Sequence, residues 1–415
     1  MAAAVAAFGM TVTLAGCAGA SGSADVTLKV VAAEYGTNSE DTSRNYWESV
    51  ASSFQAGHPG IKIDINIRPW KTIDADVARM VEEGNAPDIA QVGSYSDYAK
   101  DDKLYAADDL LSVPTQANFL DQLSEAGEVN RIQYGMPFIA STRLLFYNKD
   151  LFKSAGVSAP KDWDDLKSDA EALKADGVTT PFALPLGTEE AQGEALMWLL
   201  SGGGGVTDTA DGSYSIDSPV NVATFTWLQK NLVGAGLTGP VAPGKLDRAT
   251  AFKAFTSGQV GMLNGHPTLM KDAVKRGIKV GTVPLPGENG AAKSSVGVAD
   301  WVMAFKQNGH RQEIGKFLDF AYEDKNVLSF AGQYDLLPVT YSANEAMLAD
   351  PEHQDVRTFL TALPDSELFP YGKNTWSQVS ESFKKNIGRA VERGENPGAV
   401  LGQIARDASA AEASE

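Results

Sequence analysis

The chain has 415 residues, enough for two or three domain-sized cores, and its 43% apolar and 21% charged content is that of an ordinary globular protein. Its 53 acidic against 35 basic side chains give a formal charge of −18, which repels phosphate backbones and anionic bilayers and argues against nucleic-acid binding. One cysteine excludes an internal disulfide, and four histidines without HxxxH or CxxC spacing exclude the usual zinc sites.

The first 16 residues, MAAAVAAFGMTVTLAG, are apolar and uncharged. They are too short for a comfortable membrane span, which takes about 20 residues, and suit a signal-peptide core. Leu14-Ala15-Gly16-Cys17 has the form of a bacterial lipobox, although no Lys or Arg precedes the apolar run. Acylation of Cys17 would tether the chain, each buried lipid methylene contributing about 0.8 kcal/mol. The alternative is a buried free thiol in an N-terminal helix. The small, polar AGASGSAD that follows reads as a flexible leader.

VTLKVVAAEYG (26–36) then predicts an apolar strand ending in a polar-aromatic loop. Tyr46, Trp47, Val50 and Phe54 share a helical face closed by Gly57 and Pro59, and Ile61, Ile63, Ile65 and Ile67 alternate as a strand. A helix ending at Gly84 and a short strand with a loop, APDIAQVGSYSDYAK, follow. Strand–helix–strand alternation predicts a parallel sheet with helices on its faces, whose ligands lie beyond the carboxyl ends of strands. Glu34–Tyr35 and Gly93–Tyr95 are therefore the first candidate loops.

From YGMPFIASTRLLFYNKDLFKSAG the texture changes to a long apolar strand region and a short helix, and DWDDLKSDAEALKADG is a helix ending at Gly177. A Gly-rich loop with a turn at Asp211-Gly212 precedes further helices and strands, and the chain ends in a disordered ASAAEASE tail. GAGLTG (234–239) fits GxGxxG but follows a helical pattern and runs into Pro240, so it reads as a helix-ending loop. TDTADG lacks the acidic spacing of a calcium loop, and no P-loop or GxSxG elbow occurs.

FQAGHPGIKIDI, APDIAQVGS, YGMPFIASTRLLFYNKDLFKSAGV, DWDDL, AFTSGQVGMLNG, VGTVPLP and LLPV occur in that order over roughly residues 26–410. Together they resemble the extracellular solute-binding proteins of bacterial ATP-binding-cassette (ABC) importers, within them the carbohydrate family that includes maltose-binding protein. The resemblance implies a two-lobed α/β fold with a hinge. Lobe 1 would hold 25–140 and 295–337, lobe 2 would hold 141–294 and 338–410, and 1–24 would be signal and tether. It implies a monomeric, lipid-anchored receptor outside the cell that delivers a carbohydrate to a membrane permease, without catalysis, metal or cofactor.

A sugar presents apolar C–H faces and rings of hydroxyls, so its site needs aromatic platforms beside carboxylates, amides and arginines. Trp376, in FPYGKNTWSQV, matches by position a family aromatic that stacks on sugar; a core tryptophan is the other reading. Asp300 interrupts an apolar strand near the expected hinge, and Trp301 beside it reads as either site or core. Glu34 and Tyr35, ending the first strand, read as either site or solvated loop; Gly93, Ser94 and Tyr95 match the family's second cleft loop, and Tyr334 and Asp335 precede another crossing. Arg143, charged within an apolar strand, must meet a carboxylate or a ligand. His266 stands where relatives place a cleft aromatic, followed here by Pro267. Trp47, Trp70, Trp163 and Trp227 read as core or structural. A receptor for another solute such as a polyol phosphate, and a surface glycosidase or lyase using two carboxylates, are the competing functions.

Overall fold

The computed structural model describes residues 26–36, 39–70, 72–208, 210–290, 292 and 294–414, so Cys17 and its leader lie outside the described residues. Strand β1 (Val26–Glu34) is buried without a break from Val30 to Ala33, as a strand covered on both faces must be. The helix Ser43–Gly57 buries Tyr46, Trp47, Val50 and Phe54 as its spacing predicts, and Thr42 caps it by accepting from the Arg44 N–H. The alternating isoleucines form β2 (Ile61–Pro69), parallel to β1 along its whole length, and β3 (Ile89–Val92) pairs in parallel on the other side.

A small hairpin of β4 (Glu128–Val129) and β5 (Ile132–Gln133) precedes the fully buried β6 (Met136–Thr142). One residue, Arg143, separates β6 from β7 (Leu144–Asn148), and the two strands belong to different sheets. The second sheet is completed by β8 (Thr180–Ala183), β9 (Val260–Gly265) and β10 (Val280–Val283), in the order β10-β7-β9-β8. The chain returns through β11 (Val296–Ala304), antiparallel to β3 and to β6, and crosses once more at β12 (Glu367–Leu368). The first sheet thus reads β12-β11-β3-β1-β2 with β6 also on β11. The predicted parallel pairing holds for β1, β2 and β3, while β11 runs against them. Two sheets with helices packed on them make the two-lobed α/β fold.

Residues 340–363 fasten chiefly to the first sheet's side. Thr340 bridges Phe119, the Ser342 N–H donates to Asn118 Oδ1, and Gln122 donates to the Leu363 carbonyl. From Phe369 onward the chain joins Trp163, Trp198 and Phe225 in the second core. Two local expectations are corrected. Ser96–Lys100, read as loop, is a short helix. Within the ASAAEASE tail, read as disordered, residues 408–413 continue the helix Pro397–Ala413, because Ala408 and Ala411 extend the buried face begun by Val400, Leu401 and Ile404. GAGLTG follows a π-helical turn, Leu228–Val233, and is indeed a helix-ending loop.

Candidate functional site

Strand β1 sits between β2 and β3, so the chain departs in opposite directions from its carboxyl end and from that of β3, leaving a crevice there. Tyr35 occupies it. Its hydroxyl donates to Asp300 Oδ2 at 2.6 Å and accepts from Gln91 Nε2 at 2.7 Å, while its ring meets the edges of Trp70 and Phe330. Asp300 reaches this crevice because β11 runs antiparallel to β3, placing Trp301 opposite Val92 and Asp300 just beyond that strand's end. Burial pushes the Asp300 carboxyl up to about 6; the Tyr35 hydroxyl draws it down, and Asp74 and Glu190 push it up. Asp74, at the start of the helix Ile73–Glu82, accepts from the Gly93 N–H at 2.9 Å.

The pairing of β6 with β11 skips one residue: Asp300 faces Ile139, but Trp301 faces Pro137. Phe138 is the extra residue of a bulge, next to a proline that has no N–H to give the ladder. Trp301, alternating with Asp300 along β11, turns into the core with 0% exposure, edge-on to Tyr95 and Tyr371. Gly135 passes so close that a Cβ there would lie 2.6 Å from the Tyr95 ring and 3.0 Å from Trp301.

On the second lobe, Arg143 enters from the β6–β7 junction and donates to Glu190 Oε1. Arg248 closes the other side, with Nη2 at 2.7 Å from Glu189 Oε1 and Nε at 2.5 Å from Glu190 Oε2. Its Nη1 lies 3.0 Å from His266 Nε2. A guanidinium can only donate, so that nitrogen accepts, and Nδ1 carries the proton and donates to Thr268 Oγ1 at 2.8 Å. Burial and the two neighbouring arginines hold the His266 imidazolium well below its usual range, in agreement with a neutral ring. Beneath them Glu194, on the helix Ala191–Ser201, accepts at Oε1 from Trp198 Nε1 (2.8 Å) and Asn264 Nδ2 (2.9 Å). Tyr371 stands between the halves: burial first, then the charges of Asp300 and Glu190, hold its hydroxyl well above the ordinary phenol range.

Burial pushes Glu194 up to about 7, against the pull of Trp198, Asn264 and Arg143. The folded chain therefore keeps a proton that the unfolded chain releases near 4.5, and stability falls as pH rises from about 4.5 to about 7. Glu194→Gln should match the parent's thermal stability at pH 4.5 and exceed it at pH 8 by up to about 3 kcal/mol, measured by denaturant melts at both values.

Of the twelve expected site residues, the structure brings Tyr35, Gly93 and Asp300 together on one side and Arg143 and His266 on the other. Ser94 lies half-buried beside Gly93. Glu34 turns to its own loop, accepting from the Gly36 and Ser43 N–H groups and the Thr42 hydroxyl. Tyr334 donates to the Asp41 carbonyl, and Asp335 pairs with Lys271 of the other lobe at 2.8 Å. Three expected site residues, Trp301, Tyr95 and Trp376, are corrected. Trp301 and Tyr95 are sealed in the core, the Tyr95 hydroxyl donating to the Ala126 carbonyl. Trp376 is 7% exposed and stacked on Phe369 with centroids 5.1 Å apart, so that face is already covered. His266 stands at the N-cap position of the helix Pro267–Lys275 and buttresses Arg248, in keeping with the loss there of the relatives' cleft aromatic. Sequence reasoning missed Glu190, Glu194, Arg248, Asn264, Gln91 and Tyr371. Trp70, read as core or structural, packs half-buried against the first core and also borders Tyr35.

The chain matches the bacterial extracellular solute-binding protein family over residues 37–327. It is 26% identical over 372 residues to a binding protein of Brucella abortus, covering 88% of this chain and 89% of the other. It is also 26% identical over 329 residues to the sn-glycerol-3-phosphate-binding periplasmic protein UgpB of Shigella dysenteriae, 71% of each. Among solved structures, the GacH receptor of Streptomyces glaucescens, determined unliganded and with acarbose, superposes with a TM-score of 0.76 at 19% identity, over 94% of this chain and 99% of that one. The chain belongs to the bacterial extracellular solute-binding proteins.

Proposed function

We propose that the chain binds a neutral sugar or oligosaccharide between its lobes, closes over it, and presents it to the membrane permease of an ABC importer. One observation carries the reading: both arginines facing the crevice are already matched by Glu189 and Glu190, leaving Tyr35 and Asp300 to meet hydroxyls and Trp70 to meet an apolar ring face. The acarbose complex of the GacH receptor supports the same ligand class. A ligand that touches both lobes stabilises the closed form by its differential affinity for it. We divide the lobes at Arg143, within 284–295 and near 366, which moves the last boundary some thirty residues beyond 338.

The name of the Shigella relative favours a second reading, a phosphorylated polyol. Such an anion requires an unmatched cation, and here it would have to displace carboxylates from Arg143 or Arg248. Calorimetry of the full chain with maltose, maltotriose, maltotetraose, cellobiose, raffinose and sn-glycerol 3-phosphate separates the readings. At least one neutral sugar should bind and the phosphate should not; binding of the phosphate alone would reverse the assignment. A bound oligosaccharide recovered intact after long incubation supports a receptor over a glycosidase. We also propose acylation of Cys17, so that Cys17→Ala should release the protein from membranes into the medium.

A further inference from the structure

Beneath the paired charges of the second lobe lies a notch of about 10 Å³, lined by Arg143, Glu190, Glu194, Arg248, Phe252 and Asn264. That is room for one water-sized group. Its floor is chemically one-sided. Glu194 Oε1 already takes the Trp198 indole N–H, so it is an acceptor, and the Asn264 side chain must turn its amide nitrogen toward it. The other end of that amide, Asn264 Oδ1, is 3% exposed as a residue and has no hydrogen-bond partner among the described residues. A buried carbonyl oxygen without a donor is costly to keep unless something arrives to satisfy it. Its lining includes Arg143, the single residue between the two sheets, and Glu190, which pairs with it, so the notch lies at the junction of the lobes.

We propose that this notch receives a single hydroxyl of the bound saccharide, which donates its proton to Asn264 Oδ1. The inference rests on the sugar-receptor reading and refines it: the ligand must carry a free hydroxyl at the end that enters the second lobe. Donors are admitted and pure acceptors are turned away. A phosphate or carboxylate oxygen would meet the Asn264 amide oxygen, which has no proton to share, and an O-methyl group exceeds the space as well as lacking the donor. Discrimination therefore comes from the floor of the notch, while the arginines at its rim are held in place by Glu189 and Glu190.

The test has a protein arm and a ligand arm. In the first, the saccharide panel named above is titrated into the parent and into Asn264→Leu, with melting curves of both. The variant should bind about 30-fold more weakly than the parent to whichever member binds. In the second, that same sugar is replaced by its single-position deoxy and O-methyl derivatives on the unaltered protein, which keeps the test decisive if Asn264→Leu fails to fold. One position should lose about 30-fold on deoxygenation and more on methylation, and in the variant that position should become indifferent. Equal affinities across all deoxy derivatives, or an unchanged Kd in a folded Asn264→Leu, overturn the notch and leave the receptor reading standing. No binding by any sugar in the panel overturns the receptor reading itself.

Discussion

Replacing Trp301 with alanine should lower the melting temperature by about 5 °C and change sugar affinity by less than about twofold. The indole is fully enclosed and meets Tyr95 and Tyr371 edge-on. Its removal leaves a cavity that the neighbouring strands cannot collapse into, because Gly135 and Val92 are held by backbone pairing and close packing. Large aromatic truncations of this kind cost about 3–5 kcal/mol. Spread over the unfolding entropy of a chain this long, about 2.1 cal/mol/K per residue, that energy is worth only a few degrees. Differential scanning calorimetry with and without bound sugar measures both quantities. An affinity loss above tenfold at unchanged melting temperature would return Trp301 to the ligand.

Arg143→Met should weaken sugar binding by about 100-fold, or roughly 2.7 kcal/mol, with a smaller loss of stability. Methionine keeps most of the apolar stem but removes the charge that Arg143, itself buried, offers Glu190. Arg248 remains beside Glu190, which moderates the stability loss. The freed carboxylate then adds to the negative field already acting on Asp300 and Tyr371, and the closed arrangement concentrates all three. A double-mutant cycle with Glu190→Gln checks the cause. If charge imbalance is responsible, the second change restores at least half of the lost binding free energy; additive losses would refute it.

Much of the architecture is legible in the sequence because it depends on local pattern. The isoleucine alternation of β2, the aromatic face of Ser43–Gly57 and the caps around Trp163–Ala175 need no tertiary knowledge. Asp300 and Arg143 are legible for a related reason: a charge in an apolar strand has to be matched by something. Glu190, Glu194 and Arg248 carry no such signal, since charged residues at helix starts usually face water. Only the approach of Asn264 and Trp198 shows that Glu194 is buried. Tryptophans are the least legible, because core and cleft use the same residue. Trp301 is core for reasons that lie in strand pairing, and a bulge such as the one at Phe138 cannot be read from spacing alone.

That bulge also sets the phase in which the backbone leaves the first sheet. Every residue from Ile139 to Arg143 inherits its facing from the one extra position, and Arg143 is the last before the second sheet begins. Deleting any single residue in that run would swing the guanidinium to the rear of the hinge and start the next strand half a pleat out of step. Efforts to retarget this receptor by transplanting loops from a relative must therefore move the 136–142 and 296–304 strands as a matched pair, or the two halves of the binding surface will no longer face each other.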